Sequence, residues 1–169
     1  MSLPANLLVR DARLGDAPAI AAIYAPYVRS SAVTFELEPP DVTEVERRMR
    51  SVLDGGLPYI VAETKEGEAA GYAYAGPFRP RKAYRFTVED MVYLREEFVG
   101  RGVGRQMLSV LIDRCRAADL RQMVAVIGGE DPASVEMHRR LGFVEVGILH
   151  RVGFKFGEWH DVTLMQLGL

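Results

Sequence analysis

The sequence has little of what marks secreted, membrane-spanning or disulfide-stapled proteins. Among its 169 residues there is a single cysteine, Cys115, which has no partner for an internal disulfide and therefore fits a reducing compartment. No apolar run reaches the roughly 18 residues that a membrane-spanning helix needs. Residues 1–6 have neither the basic start nor the apolar stretch of a signal peptide. We therefore expect a cytoplasmic protein.

An excess of charge of either sign is also missing. The 21 lysines and arginines nearly balance 23 aspartates and glutamates, so the net charge of −2 creates no basic field to hold nucleic acid or an anionic membrane. Only 9 residues are proline and 49% are apolar, which supports a compact core rather than a disordered chain. We expect one domain over residues 1–169, with no nucleic acid and no membrane among its partners.

The order of predicted elements indicates an α/β domain built on one mixed sheet. Strands are predicted at residues 7–11, 59–63, 69–76, 86–94, 123–127, 143–149 and 162–166. Helices are predicted from the cap Asp16 through Tyr24, and at residues 44–53, 102–118 and 133–141. Thr43 and Glu46 form the capping-box pattern that begins the second helix. Because strands and helices do not alternate regularly, the order excludes a doubly wound parallel sheet.

A glycine-rich turn lies between the fourth predicted strand and the long helix. Gly100, Gly102 and Gly104 let the backbone approach a ligand at a helix start, where N–H groups and the helix dipole favour an anion such as a phosphate. Arg101 and Arg105 add positive charge at the rim. The spacing fits neither a dinucleotide-binding turn, which has a third glycine further on, nor a phosphate loop, which ends in Gly-Lys-Ser/Thr. Alternatively, the glycines serve only a tight turn and helix packing.

This turn resembles the acetyl-CoA pyrophosphate loop of the GNAT superfamily of N-acetyltransferases. The matching window runs from Val99 to Gly104 and departs at Val99, where the family has Gln or Arg. A second match is Leu141-Gly142-Phe143, at the end of the last predicted helix. Further segments are similar to the phosphinothricin and methionine sulfoximine N-acetyltransferases, at residues 72–79, 83–93, 124–128, 138–143 and 153–162.

The resemblance implies the GNAT fold, a single-domain α/β fold with a mixed, mostly antiparallel central sheet flanked by helices. It implies an N-acetyltransferase with acetyl-CoA as co-substrate and, as acceptor, the α-amine of a small amino-acid-like molecule such as phosphinothricin, methionine sulfoximine or methionine sulfone. It also implies a homodimer, to which the segment near Lys155 and Trp159 contributes. Two alternatives remain: a GNAT enzyme for a protein N-terminus, a polyamine or an aminoglycoside, or a non-catalytic CoA-binding module.

Two residues carry the predicted chemistry, because the amine must lose a proton and the leaving thiolate must gain one. Glu89 resembles the family's general base, and burial is expected to raise its pKa. The alternative for Glu89 is a solvated carboxylate or a partner of Arg85. Asp90 competes for the role of base, but strand alternation directs it to the opposite face. His138 resembles the histidine that assists the thiolate in phosphinothricin-type members; the alternative is a half-buried histidine bonded to the backbone.

The donor is expected along the end of the central strand and the glycine turn. Main-chain N–H groups of residues 92–94 would polarise the thioester carbonyl, and Leu94 and Arg95 would pair with the amides of the pantetheine arm. Asp131 stands where family members often carry an Asn that contacts the cofactor. The predicted cofactor-binding residues are Val92, Tyr93, Leu94, Arg95, Val99, Gly100, Arg101, Gly102, Val103, Gly104, Arg105, Gln106 and Asp131.

The acceptor is expected beside the basic loop that precedes the central strand, because arginine side chains suit a carboxylate or a phosphinate. The alternative is a solvated basic loop. The predicted acceptor-binding residues are Phe35, Tyr74, Arg79, Arg81, Lys82, Arg85 and Lys155. No Cys, His or Asp cluster has metal-ligand spacing, so no metal is predicted. Cys115, inside the long helix, is expected to be a buried apolar residue.

Overall fold

A mixed sheet of seven strands crosses the molecule. The structure, a computed structural model, describes residues 7–169, so residues 1–6 and the signal-peptide prediction made on them lie outside the described residues. The strands are β1 (Leu7–Asp11), β2 (Tyr59–Thr64), β3 (Ala69–Pro77), β4 (Thr87–Leu94), β5 (Gln122–Gly128), β6 (Val144–Lys155) and β7 (Glu158–Gly168). The α-helices are α1 (Ala17–Ser30), α2 (Val42–Asp54), α3 (Val103–Ala117) and α4 (Pro132–Arg140).

The strand order in the sheet is β1-β2-β3-β4-β5-β7-β6. The pairing of β4 with β5 is parallel, and the other neighbouring pairs are antiparallel. The predicted mixed, mostly antiparallel sheet is therefore confirmed. Within residues 7–169, none of the helices combines the length and the apolar character that a membrane crossing requires.

The sheet separates two hydrophobic cores. On one face, α1 and α2 pack their apolar sides around residues such as Met49 and Val61. On the other face, the buried stripe of α3, which includes Met107 and Leu111, packs on β2, β3 and β4. Cys115 belongs to this stripe and is fully buried, as predicted. Burial raises the pKa of its thiol to about 12, because the thiolate would lose its hydration.

Two helix starts differ from the predictions. Helix α2 begins at Val42 rather than at residue 44, because Asp41 is its cap and accepts a hydrogen bond from the Glu44 N–H at 2.8 Å. Asp16 precedes α1 as predicted, but its carboxylate does not cap that helix. It instead accepts hydrogen bonds from the Arg10 guanidinium, at 2.8 and 2.9 Å, so its position is set by a tertiary ion pair.

The last two strands are longer than predicted and form one hairpin, whose register shifts between Glu145 and Gly147 and between Leu149 and Gly153. Lys155 pairs with Glu158, and the two residues between them, Phe156 and Gly157, have positive φ angles of 55° and 80°. Positive φ at both central residues is the geometry of a type I′ turn, for which glycine is favoured and phenylalanine is unusual. The sequence pattern missed this turn because Phe156 is not a typical turn residue.

The strands β4 and β5 separate soon after they begin. Their pairing runs from Thr87 with Gln122 to Glu89 with Val124 and then ends. Beyond that point β4 stays paired with β3 as far as Leu94, and β5 stays paired with β7. A wedge-shaped opening, which we call the β4–β5 gap, therefore begins next to Glu89 and widens towards the glycine turn.

Candidate active site

Glu89 lies where the β4–β5 gap begins. Its register partners are Gly76 on β3 and Val124 on β5, and residues paired in this way share a face of the sheet. Met91 and Tyr74, the next pair on that face, lie on the side of α1 and α2. The Glu89 side chain therefore faces the same side as these residues, at the branch point of the two strands.

The carboxyl group of Glu89 is a stronger base than an exposed glutamate. Burial raises its pKa, because the charged form loses hydration, and the negative charge of Asp90 raises it further. The positive charge of Arg79 acts in the opposite direction and does not cancel the increase. Such a carboxylate is suited to accept a proton from an amine that approaches it.

A cavity of about 290 Å³ lies on the α1 and α2 side of Glu89. Met91 and Gly76 form part of its wall, and we call it the tyrosine cavity after four of its lining residues, Tyr24, Tyr59, Tyr72 and Tyr74. The rings of Tyr59 and Tyr74 are stacked with their centroids 4.7 Å apart. The predicted acceptor residue Tyr74 therefore borders a cavity next to Glu89, with aromatic area and a polar group to offer a ligand.

A second cavity, of about 210 Å³, lies on the β5 side of Glu89. It is lined by Thr87 and Val124, which neighbour Glu89 on the two strands, and by Phe78 and Tyr84 from the connection between β3 and β4. We call it the basic-loop cavity, because that connection carries the predicted acceptor residues Arg79, Arg81, Lys82 and Arg85.

The four basic residues of this connection are exposed. None of them forms an ion pair with a carboxylate in the part of the chain that the structure describes. The guanidinium of Arg79 lies over the Phe78 ring at 4.2 Å, and that of Arg85 lies over the Phe86 ring at 4.3 Å. The loop therefore brings together positive charges that have no carboxylate partner within residues 7–169, beside a cavity next to Glu89.

The main chain of β4 offers amide groups to the β4–β5 gap. Arg95 donates its N–H to Ala70 on the β3 side, at 2.9 Å, so the alternation of a strand directs the amides of Leu94 and Val92 to the gap. By the same alternation, the main-chain amide of Tyr93 is directed towards β3 and not towards the gap. The main-chain groups of Leu94 are already bonded to Tyr27 of α1. The Tyr27 hydroxyl donates to the Leu94 carbonyl at 2.7 Å and lies 3.3 Å from the Leu94 nitrogen. Of the predicted donor contacts, the geometry therefore favours the Val92 amide most.

The glycine turn has the backbone geometry of a cradle at a helix start. Gly100 and Gly102 have φ angles of 75° and 80°, which side-chain-bearing residues rarely adopt. Gly102 is the cap residue of α3 and, as a glycine, has no side chain that could cap the first turn of the helix. Gly104 has a packing role, because a Cβ there would lie 3.3 Å from the Met137 sulfur. Both the ligand-binding and the packing interpretation of these glycines therefore find support.

Asp131 is the cap residue of α4. Its carboxylate accepts a hydrogen bond from the Ser134 N–H at 2.9 Å. This bond accounts for an acidic residue at the start of the helix, since the positive end of the helix dipole favours it. A contact of Asp131 with the cofactor stays a prediction.

His138 is buried and makes hydrogen bonds with both ring nitrogens. The Nδ1–H donates to the Ser134 carbonyl at 2.7 Å, and Nε2 lies 2.9 Å from a carboxylate oxygen of Asp90. Asp90 does lie on the face opposite to Glu89, as strand alternation predicts. Protonation of a thiolate by His138 would require one of these bonds to break, so this role stays a prediction that the geometry does not favour.

Lys155 anchors the loop of residues 31–41 rather than bordering either cavity. It is 2% exposed, and its ammonium donates to the carbonyls of Ser31 and Thr34, both at 2.7 Å. Burial lowers its pKa, and the charge of Glu36 opposes this shift. Because these donors are directed at the loop, the geometry favours a structural role for Lys155, and its contact with the acceptor stays a prediction.

Phe35, in the same loop, packs against the β6–β7 hairpin. A Cβ on Gly153 would lie 2.2 Å from the Phe35 ring, so only a glycine fits beneath it. The ring also stacks on His160, with the centroids 6.2 Å apart. Phe35 lines neither cavity, and its contact with the acceptor stays a prediction.

Sequence reasoning missed Tyr27 and the partnership of Asp90 with His138. The sequence did contain a signal for the partnership of Asp90. This residue lies between Val88 and Val92 on the apolar face of a central strand, where a carboxylate needs a polar partner. Tyr27 gave no comparable signal, because its place on α1 fits an ordinary aromatic residue. Among the described residues, no group of three His, Cys, Asp or Glu side chains is arranged to hold a metal ion.

Comparison with known proteins identifies relatives along nearly the whole chain. Residues 9–164 match the family model described as the acetyltransferase (GNAT) domain. A phosphinothricin N-acetyltransferase from Alcaligenes faecalis is 52% identical over 159 residues, which cover 94% of this chain and 80% of that protein. An L-methionine sulfoximine/L-methionine sulfone acetyltransferase from Pseudomonas aeruginosa is 42% identical over 161 residues, which cover 95% of this chain and 94% of that protein.

A solved structure is similar in both fold and sequence. The crystal structure of a GNAT superfamily phosphinothricin acetyltransferase from Sinorhizobium meliloti, in complex with acetyl-CoA, superimposes with a TM-score of 0.94 at 44% identity. The match covers 97% of this chain and 89% of that one. The resemblance drawn from the glycine turn and the longer segments is thus confirmed.

The anchoring role of Lys155 predicts a loss of stability when its ammonium is removed. Lys155→Met keeps a long side chain but leaves the Ser31 and Thr34 carbonyls without their donor, so we expect the free energy of unfolding to fall by about 1–3 kcal/mol. Urea denaturation measures this change. The control Lys65→Met, at an exposed turn, should alter stability by less than about 0.5 kcal/mol. Equal stability of the two variants would contradict the anchoring role.

Proposed function

The chain belongs to the acetyltransferase (GNAT) domain family and uses acetyl-CoA as co-substrate, and we propose that it acetylates the α-amine of a small amino-acid-like acceptor. Phosphinothricin, methionine sulfoximine and methionine sulfone are the acceptors that the names of its relatives suggest. The observation that carries the proposal is the position of Glu89, a partly buried carboxylate with a raised pKa at the branch point of β4 and β5.

The chain's own residues have distinct tasks in the proposed reaction. Bound acetyl-CoA supplies a thioester whose C–S bond breaks as the new C–N bond forms. Glu89 takes the proton of the acceptor ammonium, directly or through one water, so that the nitrogen lone pair can attack. The Val92 N–H donates to the carbonyl oxygen on which negative charge develops. After the attack the nitrogen releases its second proton to solvent, and the thiolate leaves with the bonding electron pair and takes a proton from solvent.

The surroundings of Glu89 support an anionic amino-acid-like acceptor. With the amine at Glu89, the basic-loop cavity lies on one side, where Arg79 is close enough for its charge to lower the pKa of Glu89. The tyrosine cavity lies on the other side and offers aromatic area for the acceptor side chain. A polyamine or an aminoglycoside would bring positive charge towards the unpaired arginines, and this repulsion favours the amino acid.

The acceptor class can be tested with a panel of amines. We expect phosphinothricin, methionine sulfoximine and methionine sulfone to gain one acetyl group in the presence of acetyl-CoA, as measured by mass spectrometry. A polyamine, an aminoglycoside and a short peptide should react far more slowly, because they lack a free α-amine next to a carboxylate or carry excess positive charge. If only the polyamine, the aminoglycoside or the peptide were acetylated, the proposed acceptor class would be refuted. Binding of acetyl-CoA without any acetylated product would favour a non-catalytic module.

The role of Glu89 predicts a characteristic pH dependence. Glu89→Gln removes the base, so we expect kcat/KM to fall by about 10²–10⁴. In the unsubstituted enzyme, kcat/KM should fall as the pH drops through the raised pKa of Glu89, because protonation abolishes the base; this decrease should vanish in the variant. Glu46→Gln, on the exposed surface of α2, serves as control and should leave the profile unchanged. Near-normal kcat/KM of Glu89→Gln between about pH 6 and 9 would show that another group is the base.

The edge of the sheet formed by β6 and β7 supports a homodimer. Large apolar side chains there are between 45% and 65% exposed, namely Val144, Val146, Ile148, Leu149, Val152, Phe154, Phe156 and Trp159. A contiguous exposed apolar surface of this kind is typical of an interaction site. We assign it to a second copy of the chain, in agreement with the family resemblance, because a two-fold axis lets one apolar edge cover its equivalent.

The dimer proposal is tested by charge substitution in this edge. We expect the protein to sediment as a dimer in analytical ultracentrifugation and Phe154→Glu to sediment as a monomer, because two buried carboxylates would be left unpaired in the interface. Leu8→Glu introduces the same charge at an exposed residue of β1, on the opposite edge of the sheet, and should leave the dimer intact. A monomeric parent protein at micromolar concentration would contradict the proposal.

A further inference from the structure

A buried carboxylate and a buried imidazole meet at the branch point of the sheet. The side chains of Asp90 and His138 are 3% and 4% exposed, and their nearest oxygen and nitrogen are 2.9 Å apart. Phe143 presents its ring edge-on to the imidazole, with the centroids 4.9 Å apart. For the other oxygen of Asp90, Oδ1, no hydrogen-bond partner lies among residues 7–169. Few pairs of ionisable groups are so completely removed from water, and such a pair is kept only where it is well bonded.

The hydrogen bonds determine which protons the imidazole carries. A carbonyl oxygen can only accept, so the Nδ1–H donates to Ser134. Nε2 faces the Asp90 carboxylate, which can only accept a hydrogen bond when it is ionised. Nε2 must therefore carry a proton as well, and a ring protonated at both nitrogens is an imidazolium. Burial lowers the pKa of His138, but the hydrogen bond and charge of Asp90 outweigh burial and raise it overall, with Ser134 and Asp131 acting in the same direction. The charge of Asp90 also acts on two other ionisable groups, the Cys115 thiol on α3 and Glu89, its neighbour on β4.

The pair connects three elements of the donor site. Asp90 is the first residue of β4 beyond its pairing with β5, and Val92, on the same face, is the residue whose amide points into the gap. Met137, next to His138 on α4, lies 3.3 Å from where a Cβ of Gly104 would be, and the side chains of Leu94 and Val92 lie 3.5 and 3.9 Å from that same point. The first turn of α3, the end of β4 and helix α4 therefore meet around Gly104, and Met137, which makes the contact from α4, is the neighbour of His138.

We propose that Asp90 and His138 are a positioning pair for the acetyl donor: their buried ionic hydrogen bond holds α4 against β4 at the branch point and so fixes the Val92 amide and the first turn of α3 relative to each other. His138 acts as a held cation and not as the proton donor to the thiolate. The proposal rests on the proposed function, since the site it organises is that of acetyl-CoA. It differs from the family-based role of His138, which requires a ring nitrogen free to give up its proton.

The test uses Asp90→Asn, which keeps the size of the side chain and removes its charge. With 15N-labelled protein, the ring signals of His138 should be those of an imidazolium at pH 8 in the parent protein and those of a neutral ring in the variant. Calorimetry with CoA should give a dissociation constant about tenfold higher for the variant, because the donor site loses its fixed geometry. The KM of acetyl-CoA should rise in parallel, whereas the KM of the acceptor should stay within about twofold, since the pair lies on the face opposite to Glu89.

The chain contains a matched control. His150 and Asp161 also form a histidine–carboxylate contact, at 2.8 Å, but their side chains are 72% and 44% exposed. Asp161→Asn should therefore change neither the CoA affinity nor the ring signals of His138. As a second variant, His138→Gln keeps a hydrogen-bond donor; combined with Asp90→Asn it should weaken CoA binding no more than either single substitution, because paired residues act as one unit.

The outcomes separate this proposal from the proposed function. If the parent protein binds CoA and Asp90→Asn binds it equally tightly, or if His138 is neutral at pH 8 in the parent protein, the positioning pair is refuted. Additive losses in the double variant would likewise refute it. If the parent protein binds no CoA, the proposed function itself fails, which the parent's calorimetry reveals without any variant.

Discussion

The separation of β4 from β5 is the constraint on which the rest of the site depends. A continuous ladder between these strands would consume the amides of Val92 and Leu94, whereas the gap leaves them at the edge of an opening next to Glu89. An open edge inside a protein costs hydrogen bonds, and each buried polar group left unpaired costs about 1–3 kcal/mol. The Tyr27 hydroxyl offsets part of this cost by bonding to both main-chain groups of Leu94. Side chains from two helices therefore contact β4 along the gap: Tyr27 of α1 at Leu94 and His138 of α4 at Asp90.

The buried charged side chains of this molecule are each bonded to a compensating partner. Asp90, His138 and Lys155 are the charged or polar side chains of residues 7–169 that are buried, and each is bound to a partner of opposite charge or to main-chain carbonyls. Glu89 differs, because it is partly buried without a salt bridge to any of residues 7–169, and the charges that act on it are the like charge of Asp90 and the opposing charge of Arg79. An unneutralised carboxylate is costly for stability and useful for proton transfer, which is why the exception to the rule marks the candidate catalytic residue.

The parts of this structure that sequence could predict are those determined by neighbours in the chain. Periodicity predicted the long helix α3, and alternation placed Glu89 and Asp90 on opposite faces. The contacts that it missed join distant residues: Asp90 and His138 are 48 positions apart, Tyr27 and Leu94 are 67 apart, and Lys155 lies 124 positions from Ser31. The error at Asp16 has a more local origin, since the Arg10 guanidinium and the Arg13 N–H donate to its carboxylate in place of the helix that it was expected to cap. Local sequence preferences determine where helices and strands form, whereas tertiary contacts determine which partners their polar side chains bind.

The burial of Cys115 has a practical consequence for the study of this enzyme. Its sulfur lies within the packed stripe of α3 and its pKa is about 12, so almost none of it is thiolate at neutral pH and no solvent reaches it. Disulfide reagents and alkylating agents attack the thiolate, and the folded protein therefore presents no competing sulfur. A chromogenic disulfide added during turnover would report the liberated coenzyme alone, with a negligible background from the protein.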